Sequence, residues 1–157
     1  MAIIVFDLDG TLACGKHRLH LLPKAEDSHL TEAWDAFNLA CVNDAVIEDN
    51  ARLLEILYEI GHYILILTGR SDVAALQTHR WLLDNGIRYS DLIMRSRNDH
   101  RRDVEFKEDE LRKVGLSSIL CCFDDLEHVA KHIRSLGVTC HLVTHYDAPR
   151  VDTVERK

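Results

Sequence analysis

Two carboxylates stand two residues apart in this sequence, directly after a run of apolar residues. Asp7 and Asp9 follow residues 3–6, which read Ile-Ile-Val-Phe and are typical of a strand buried on both faces. Paired carboxylates repel each other, and a hard cation such as Mg²⁺, which takes oxygen ligands, would offset the repulsion. Gly10 would let the backbone approach an anion closely, and Thr11 supplies a hydroxyl at a predicted helix start. The alternative is that Asp-Leu-Asp-Gly-Thr is only a turn.

Two further groups of polar residues come at the ends of other apolar runs. Thr68 and Arg70 follow a second run, and Asp124 and Asp125 follow a third. In open parallel sheets ligands bind beyond the carboxyl ends of the strands, so we expect all three groups to meet at one edge. The alternatives are a helix cap for Thr68 and an N-cap pair for the two aspartates.

Strand-like runs alternate with helical patterns along the chain. Strands are predicted at residues 3–6, 63–67, 92–94, 119–123 and 138–143. Helices are predicted at residues 50–60, 72–84, 104–114 and 126–136. Strands separated by helices imply right-handed crossovers, so the predicted fold is α/β, with a doubly wound, mostly parallel five-stranded sheet.

Residues 13–46 lack this alternation and are interpreted as a small helical cap insertion in a single domain of residues 1–157. One helix is predicted in the insertion, because apolar residues recur there at helical spacing. These residues are Leu30, Trp34, Phe37 and Cys41. Trp34 and Phe37 are interpreted as core residues, with stacking on a base as the alternative.

Composition limits the classes of protein to consider. A chain of 157 residues with 46% hydrophobic residues fits one domain, and its net charge of -7 argues against nonspecific binding to duplex nucleic acid. There is no membrane-spanning apolar run and no signal-peptide pattern, so we expect a cytoplasmic protein without a membrane partner. Five cysteines without a Cys-x-x-Cys are interpreted as reduced thiols. The polar residues after Pro149 are predicted to form a loose tail.

The motifs resemble those of the haloacid-dehalogenase-like (HAD) phosphohydrolases. The stretches that carry the resemblance are Asp7-Leu8-Asp9-Gly10-Thr11-Leu12, Thr68-Gly69-Arg70, Lys107 and Asp124-Asp125. They occur in the order of the family and span nearly the whole chain. Within the superfamily the chain is most similar to the 3'-phosphatase domain of phage-type polynucleotide kinases. Leu126 departs from a pattern that places an arginine there, which puts a substrate contact at that position in doubt.

The resemblance implies a Mg²⁺-dependent phosphatase that works through an aspartyl-phosphate. Asp7 would attack phosphorus, and Asp9 would act first as general acid and then as general base. Mg²⁺ would be held by the Asp7 carboxylate, the main-chain carbonyl of Asp9, and one or both of Asp124 and Asp125. The residues that would bind the substrate are Thr68 and Lys107 at the phosphoryl oxygens, with Gly10, Thr11, Gly69 and Arg70 beside them. Without the resemblance, a lysine among glutamates is equally well interpreted as a solvated charge.

Four arginines lie within eight residues, between the third predicted strand and Lys107. Arg97, Arg101 and Arg102 are predicted to contact substrate phosphates beyond the scissile one. The alternative is that these arginines form surface ion pairs with neighbouring acidic residues, and such pairs are individually worth little.

The leading function is a polynucleotide 3'-phosphatase of the nucleic-acid end-repair type, acting on a phosphorylated nucleic-acid end. The alternatives are a 5'(3')-nucleotidase on free nucleoside monophosphates and a non-catalytic phosphate-binding protein of the same fold. The presence of both Asp7 and Asp9 favours an enzyme, because a binding protein needs no general acid. The short insertion predicts an open site. The sequence has no Gly-x-x-x-x-Gly-Lys-Ser/Thr motif, so it contains no P-loop kinase half. A separate kinase or ligase is a possible partner.

Overall fold

Within residues 1–143, which the computed structural model describes, seven strands form two sheets. The strands are Ile3–Phe6 (β1), Ala13–Cys14 (β2), Ala45–Val46 (β3), Tyr63–Ser71 (β4), Asp91–Arg95 (β5), Ile119–Asp124 (β6) and Cys140–Leu142 (β7). The large sheet is parallel and has the order β5-β4-β1-β6-β7. The predicted five-stranded parallel sheet is confirmed. The predicted tail after Pro149 lies outside the described residues.

The central strand is β1, because it is apolar on both faces. Ile4, Val5 and Phe6 are all buried, and β1 pairs with β4 on one side and with β6 on the other. The carboxyl ends of these three strands therefore lie side by side. The residues that follow each strand come together at this edge, as expected for an open parallel sheet.

Helices cover both faces of the large sheet. The α-helices are Asp35–Leu39 (α1), Glu48–Glu59 (α2), Ala75–Asp84 (α3), Asp103–Val114 (α4) and Glu127–Ser135 (α5), and those on the faces of the sheet are α2 to α5. Ile4 and Phe6 share a core with apolar residues of α2 and α3. Val5, on the opposite face, shares a core with apolar residues of α4 and α5. The doubly wound architecture is confirmed.

Local signals set the beginning and end of the helices. The Ser71 hydroxyl accepts a hydrogen bond from the Val73 N–H at 3.3 Å, and a single 3-10 turn over residues 72–74 leads into α3. The strand β4 continues four residues beyond its predicted end, because it stays paired with β5. Gly61 and Gly115 follow α2 and α4 with φ of 94° and 99°, a conformation that favours glycine.

The cap insertion differs from its prediction. Its chain forms α1 and several short 3-10 helices instead of one long helix. The short helices are Lys16–Leu21, Ala25–Asp27, Thr31–Trp34 and Ala40–Asn43. The last two flank α1 directly, so the helical spacing of apolar residues came from three consecutive short elements. At the base of the insertion, β2 pairs with β3 in an antiparallel ladder.

The five cysteines all lie in the described part of the chain and are free thiols. Cys121 and Cys122 are neighbours on β6 and belong to the two opposite cores, as expected for adjacent residues of a strand.

None of the helices between residues 1 and 143 has both the length and the apolar character that crossing a membrane requires.

Candidate active site

A cleft opens at the carboxyl edge of the large sheet. The empty space in the cleft, including its solvent-filled mouth, is about 580 Å³. The predicted site residues that line it are Asp7, Asp9, Thr68, Gly69, Arg70, Lys107 and Asp125. The residues that the insertion contributes are Trp34, Phe37 and Asn38. The sheet edge and the insertion therefore form the cleft together.

Asp7 and Lys107 are in direct contact in this cleft. Lys107 Nζ lies 3.1 Å from Asp7 Oδ1 and 2.5 Å from Asp124 Oδ2. Burial raises the pKa of Asp7 to about 7, against the opposing charge of Lys107. Burial acts to lower the pKa of Lys107, but the Asp124 and Asp7 carboxylates outweigh it, so that pKa lies above its ordinary value. Lys107 is thus a buried ammonium between two carboxylates.

Asp9 is fixed by two buried arginines. Arg70 Nη2 and Arg18 Nη2 each donate to Asp9 Oδ1 at 2.6 Å, and Arg70 Nε donates to Oδ2 at 3.3 Å. Burial acts to raise the pKa of Asp9, but the Arg70 and Arg18 guanidinium groups outweigh it and hold that pKa well below its usual range. Asp9 is therefore ionised, and the orientation of its carboxylate is set by these arginines.

Asp44, near the end of the insertion, completes this buried network. Arg18 donates to Asp44 Oδ1 at 2.8 Å and to Oδ2 at 2.6 Å, and its Nη1 donates to the Phe37 carbonyl at 2.9 Å. Arg70 Nη2 lies 3.6 Å from Asp44 Oδ2. The positive charges of the two arginines thus balance the negative charges of the two aspartates. Buried ions require such pairing. The network joins the insertion to Asp9.

A bulge in β4 shapes the part of the cleft that Thr68 lines. Thr68 pairs with Met94 of β5, but Ser71 pairs with the very next residue, Arg95, so β4 has two extra residues there. One of them, Arg70, donates its backbone N–H to Thr68 Oγ1 at 3.0 Å. Because the Thr68 hydroxyl accepts that bond, its own proton is available to an anion in the cleft.

Arg95 holds this bulge from inside the protein. Its side chain is completely buried. Its Nε donates to the Gly69 carbonyl at 3.2 Å, and its Nη2 donates to Asp103 Oδ1 at 2.6 Å. A Cβ atom at Gly69 would lie only 3.2 Å from the same Asp103 oxygen, so a larger residue at this position would force a shift. Arg95 is therefore an interior residue, unlike the other arginines of its run.

Three carboxylates form a candidate metal site beside Lys107. Asp7, Asp124 and Asp125 each have an oxygen within 4.8 Å of the others. Oxygen donors of this kind are those that Mg²⁺ prefers. Asp124 Oδ1 also accepts from the Leu126 N–H at 3.0 Å, just before α5. The N-cap residue of α5 is Leu126 and the helix has no side-chain cap, so the interpretation of the two aspartates as an N-cap pair is wrong.

Gly10 and Thr11 lie outside the cleft lining. The Gly10 N–H donates to the Ala13 carbonyl at 2.8 Å, and the backbone at Gly10 has a φ of 79°, which favours glycine. Thr11 is completely buried, and its carbonyl accepts from the Asn50 side chain at 2.8 Å. The chain turns here and enters β2, so the prediction of a helix start at Thr11 is wrong.

The three remaining arginines of the run lie on the loop between β5 and α4 and do not line the cleft. Each is partly exposed and paired with carboxylates. The pairs are Arg97 with Asp35, Arg101 with Asp99 and Asp109, and Arg102 with Glu105. Exposed pairs of this kind are weak enough to exchange for substrate phosphates. Contact of these arginines with a substrate stays a prediction.

The same loop also binds the insertion. The Thr31 N–H donates to His100 Nδ1 at 3.1 Å, and the Thr31 hydroxyl donates to the Asp99 carbonyl. Arg97 Nη2 donates to Asp35 Oδ2 at 2.8 Å. These contacts flank Trp34 and hold it at the cleft.

The motifs did not identify four residues of the site. Arg18 and Asp44 belong to the network around Asp9, and Asn38 and Asp103 line the cleft. Arg18 is next to Lys16 and His17 in a run that is typical of a solvated surface, and only the tertiary fold shows that it is buried. For Asp44 a signal was available in the resemblance to the 3'-phosphatase domain, because one stretch that supports it runs from Trp34 to Asp44.

Comparison with known proteins places these features in a family. A family model described as the polynucleotide kinase PNKP phosphatase domain matches residues 1–147. No curated protein sequence matches the chain.

Several solved structures share the fold. A chain in the structure of the Pnkp1/Rnl/Hen1 RNA repair complex is 24% identical, with a TM-score of 0.72, and the match covers 94% of this chain and 44% of that one. This chain thus spans less than half the length of that relative. A haloacid dehalogenase-like hydrolase from Streptococcus pneumoniae is 14% identical, with a TM-score of 0.65 and coverage of 92% and 85%. CbbY from Rhodobacter sphaeroides, in complex with phosphate, is 12% identical, with a TM-score of 0.67 and coverage of 96% and 91%.

Proposed function

Because the chain belongs to the family of polynucleotide kinase phosphatase domains, which are HAD phosphatases, we propose that it removes 3'-phosphates from polynucleotide ends. The observation that carries the chemistry is the convergence of Asp7, Asp9, Thr68 and Lys107 on one cleft. The match over residues 1–147 supports the class of substrate.

Asp7 is the proposed nucleophile. Its carboxylate attacks phosphorus, the nucleic-acid hydroxyl leaves, and water then hydrolyses the aspartyl-phosphate, so that one difficult displacement becomes two easier ones. Lys107, 3.1 Å from Asp7, holds positive charge next to the reacting oxygen. The Thr68 hydroxyl donates to a phosphoryl oxygen, where charge must be stabilised in the transition state.

Asp9 is the proposed general acid and base. In the second step an ionised Asp9 deprotonates the attacking water, and the contacts with Arg70 and Arg18 keep it ionised and oriented for that role. In the first step Asp9 must hold a proton for the leaving oxygen. A phosphate dianion that enters the cleft raises the pKa of Asp9 by charge repulsion and so favours that proton.

Mg²⁺ is the proposed cofactor. Asp7, Asp124 and Asp125 would hold it through side-chain oxygens, together with the Asp9 carbonyl, and this donor set suits a hard cation. When bound, Mg²⁺ reduces the repulsion between a carboxylate nucleophile and an anionic phosphate.

Removal of the metal should abolish turnover, and the two aspartates after β6 should differ in their response. EDTA should stop hydrolysis and added Mg²⁺ should restore it. Higher Mg²⁺ should restore more activity to Asp125→Ala than to Asp124→Ala, because Asp124 also holds Lys107 at 2.5 Å. The measurement is kcat/KM against Mg²⁺ concentration, with exposed Asp49→Ala as control. Wild-type activity of both variants at low Mg²⁺ would show that neither aspartate is needed to bind the metal.

The loop arginines should distinguish long substrates from short ones. If Arg97, Arg101 and Arg102 contact phosphates beyond the scissile one, their replacement by Ala should raise KM for a 3'-phosphorylated oligonucleotide and hardly change KM for a nucleoside monophosphate. Each lost contact should lower the log–log salt slope by roughly 0.7 on a single strand. The control is Arg112→Ala on α4, which removes another exposed ion pair. Equal effects on both substrates would argue against the polynucleotide role of the loop.

A nucleotidase acting on free nucleoside monophosphates is the second candidate. The observation that favours it is the pairing of the loop arginines with carboxylates, which leaves longer substrates without a ready phosphate contact. A panel of 3'- and 5'-mononucleotides and 3'-phosphorylated oligonucleotides tests both candidates. The highest kcat/KM on a 3'-phosphorylated oligonucleotide supports the proposed function, and the highest value on a free mononucleotide supports the second candidate.

A separate kinase or ligase is the proposed partner. One structural relative comes from the Pnkp1/Rnl/Hen1 RNA repair complex. Removal of a 3'-phosphate leaves a 3'-hydroxyl, which is the kind of end that a ligase can join. We therefore place the proposed reaction before a joining step carried out by another protein.

A further inference from the structure

The side-chain amide of Asn38 is a buried polar group without a role in the mechanism above. Asn38 lines the cleft and is only 4% exposed. Its amide oxygen and nitrogen make no hydrogen bond with any residue between 1 and 143. The amide is not among the fully buried unpaired polar atoms of residues 1–143, so it can be reached from the cleft, and a ligand that hydrogen-bonds to it takes the place of water there.

Asn38 follows a residue that is linked through Arg18 to Asp9, the group that acts on the leaving oxygen in the proposed mechanism. The preceding residue, Phe37, accepts a hydrogen bond from Arg18, which in turn binds Asp9. In the proposed mechanism Asp9 protonates the oxygen that departs with the alcohol. Lys107 contacts Asp7 and Asp124 instead, at the phosphate-binding part of the cleft.

The surfaces beside Asn38 are apolar. Trp34 lines the cleft with its ring edge-on to Phe37, at 6.0 Å between centroids and an angle of 81°. The Trp34 Nε1–H donates to the Ser28 carbonyl at 3.0 Å, so the indole offers the cleft mainly apolar ring surface. Leu126 adds an aliphatic side chain to the lining. One neutral amide among apolar walls suits an uncharged ring that carries oxygen atoms.

We propose that Asn38 is a specificity-determining residue that hydrogen-bonds to the sugar of the nucleoside carrying the phosphate, while Trp34 packs against that nucleoside. This inference rests on the proposed function only in requiring a nucleoside phosphate as substrate. It adds a binding subsite for the leaving group, supplied by the insertion. Arg70 and Lys107, the cationic residues of the described lining, are both bound to aspartates at the reacting end. A second phosphate therefore fits this subsite less well than a sugar does.

The test compares a nucleotide with a phosphate ester that has no sugar. Asn38→Leu keeps the side-chain size and removes both polar atoms, and Asn38→Ala removes them without risk of overpacking. The substrates are thymidine 3'-monophosphate, thymidine 5'-monophosphate and p-nitrophenyl phosphate, with Mg²⁺ present. The ratio of kcat/KM for the preferred nucleotide to kcat/KM for p-nitrophenyl phosphate should fall roughly five- to tenfold in both variants, as expected for one neutral hydrogen bond.

The matched control is Asn43→Leu, which removes an exposed amide from the same insertion and should leave the ratio unchanged. A thermal melt checks that each variant is folded, and Asn38→Ala decides the question if Asn38→Leu is not. An unchanged ratio, or an equal loss on both substrates, overturns the role of Asn38. A wild-type preference for the 5'-monophosphate would refute the 3'-phosphatase proposal and still allow the Asn38 test on that nucleotide. If the wild-type enzyme prefers neither nucleotide over p-nitrophenyl phosphate, the proposal of a subsite for the nucleoside is wrong.

Discussion

Asp7→Asn should lower the rate of phosphate-ester hydrolysis by at least about a thousandfold. An amide does not attack phosphorus, and the substitution also removes one carboxylate from the cluster with Asp124 and Asp125. Because every substrate uses the same nucleophile, kcat on a nucleoside 3'-monophosphate and on p-nitrophenyl phosphate should fall together. Full metal-dependent turnover by Asp7→Asn would show that another group is the nucleophile.

The same substitution should leave the fold at least as stable as before. Burial raises the pKa of Asp7 to about 7, so between about pH 4 and that value the folded state keeps a proton that the unfolded chain has lost. The ionised carboxylate of Asp7 therefore lowers the free energy of unfolding progressively as the pH rises through this window. The loss is complete above the window. Without divalent cation, the urea-measured free energy of unfolding of Asp7→Asn should equal or exceed that of wild type above pH 7. Exposed Asp84→Asn is the control, and should keep both activity and stability.

Arg18→Met should destabilise the protein by about 3–5 kcal/mol, the usual cost of breaking a buried ion pair. The substitution keeps an apolar stem of similar length and removes the guanidinium that binds Asp9, Asp44 and the Phe37 carbonyl. Within residues 1–143, the Asp44 carboxylate would then keep the contact with His17 Nε2 at 2.8 Å and the more distant Arg70 Nη2 at 3.6 Å. Activity should fall as well, because Asp9 loses one of the two groups that orient it. Urea unfolding and kcat on p-nitrophenyl phosphate measure the two effects.

The matched control is Arg88→Met, which also removes an arginine with two acidic partners. Arg88 pairs with Glu55 and Glu59 on the surface, where ion pairs are screened, so its loss should change stability much less. Arg18→Lys should be intermediate at best, because an ammonium cannot reproduce the fork that binds both Asp44 oxygens. If Arg18→Met and Arg88→Met unfold at the same urea concentration, the buried network does not hold the insertion in place.

The parts of the fold that could be predicted are those with a local signal. The apolar run before Asp7 specifies a buried central strand whatever it pairs with, and helix ends such as Gly61 follow from the chain nearby. The convergence of Asp7 with Asp124 could be predicted because parallel strands bring their carboxyl ends to one edge. That prediction requires only that the sheet is parallel, and it does not depend on how the side chains pack.

The remainder depends on contacts that sequence spacing does not show. Arg18 and Asp44 are 26 residues apart and meet only in the folded insertion. The four arginines of residues 95–102 carry equal charge in the sequence, yet Arg95 is completely buried while Arg97 is exposed and bound to Asp35. The prediction of one long helix in the insertion was wrong, because three consecutive short helices together have the spacing of apolar residues that is typical of a single helix.

The central place of β1 in the sheet also affects how the protein is made. Within this chain β1 is synthesised before β4 and β6, its partners in the sheet, so its apolar residues remain unpaired until those strands have emerged from the ribosome. Such long-range pairing slows folding and leaves an unpaired strand open to aggregation. Asp7 is translated early, whereas its neighbours Lys107 and Asp124 are translated late. A ribosome-bound nascent chain therefore cannot assemble the active site until β6 has emerged, and chaperone dependence should be concentrated in that interval.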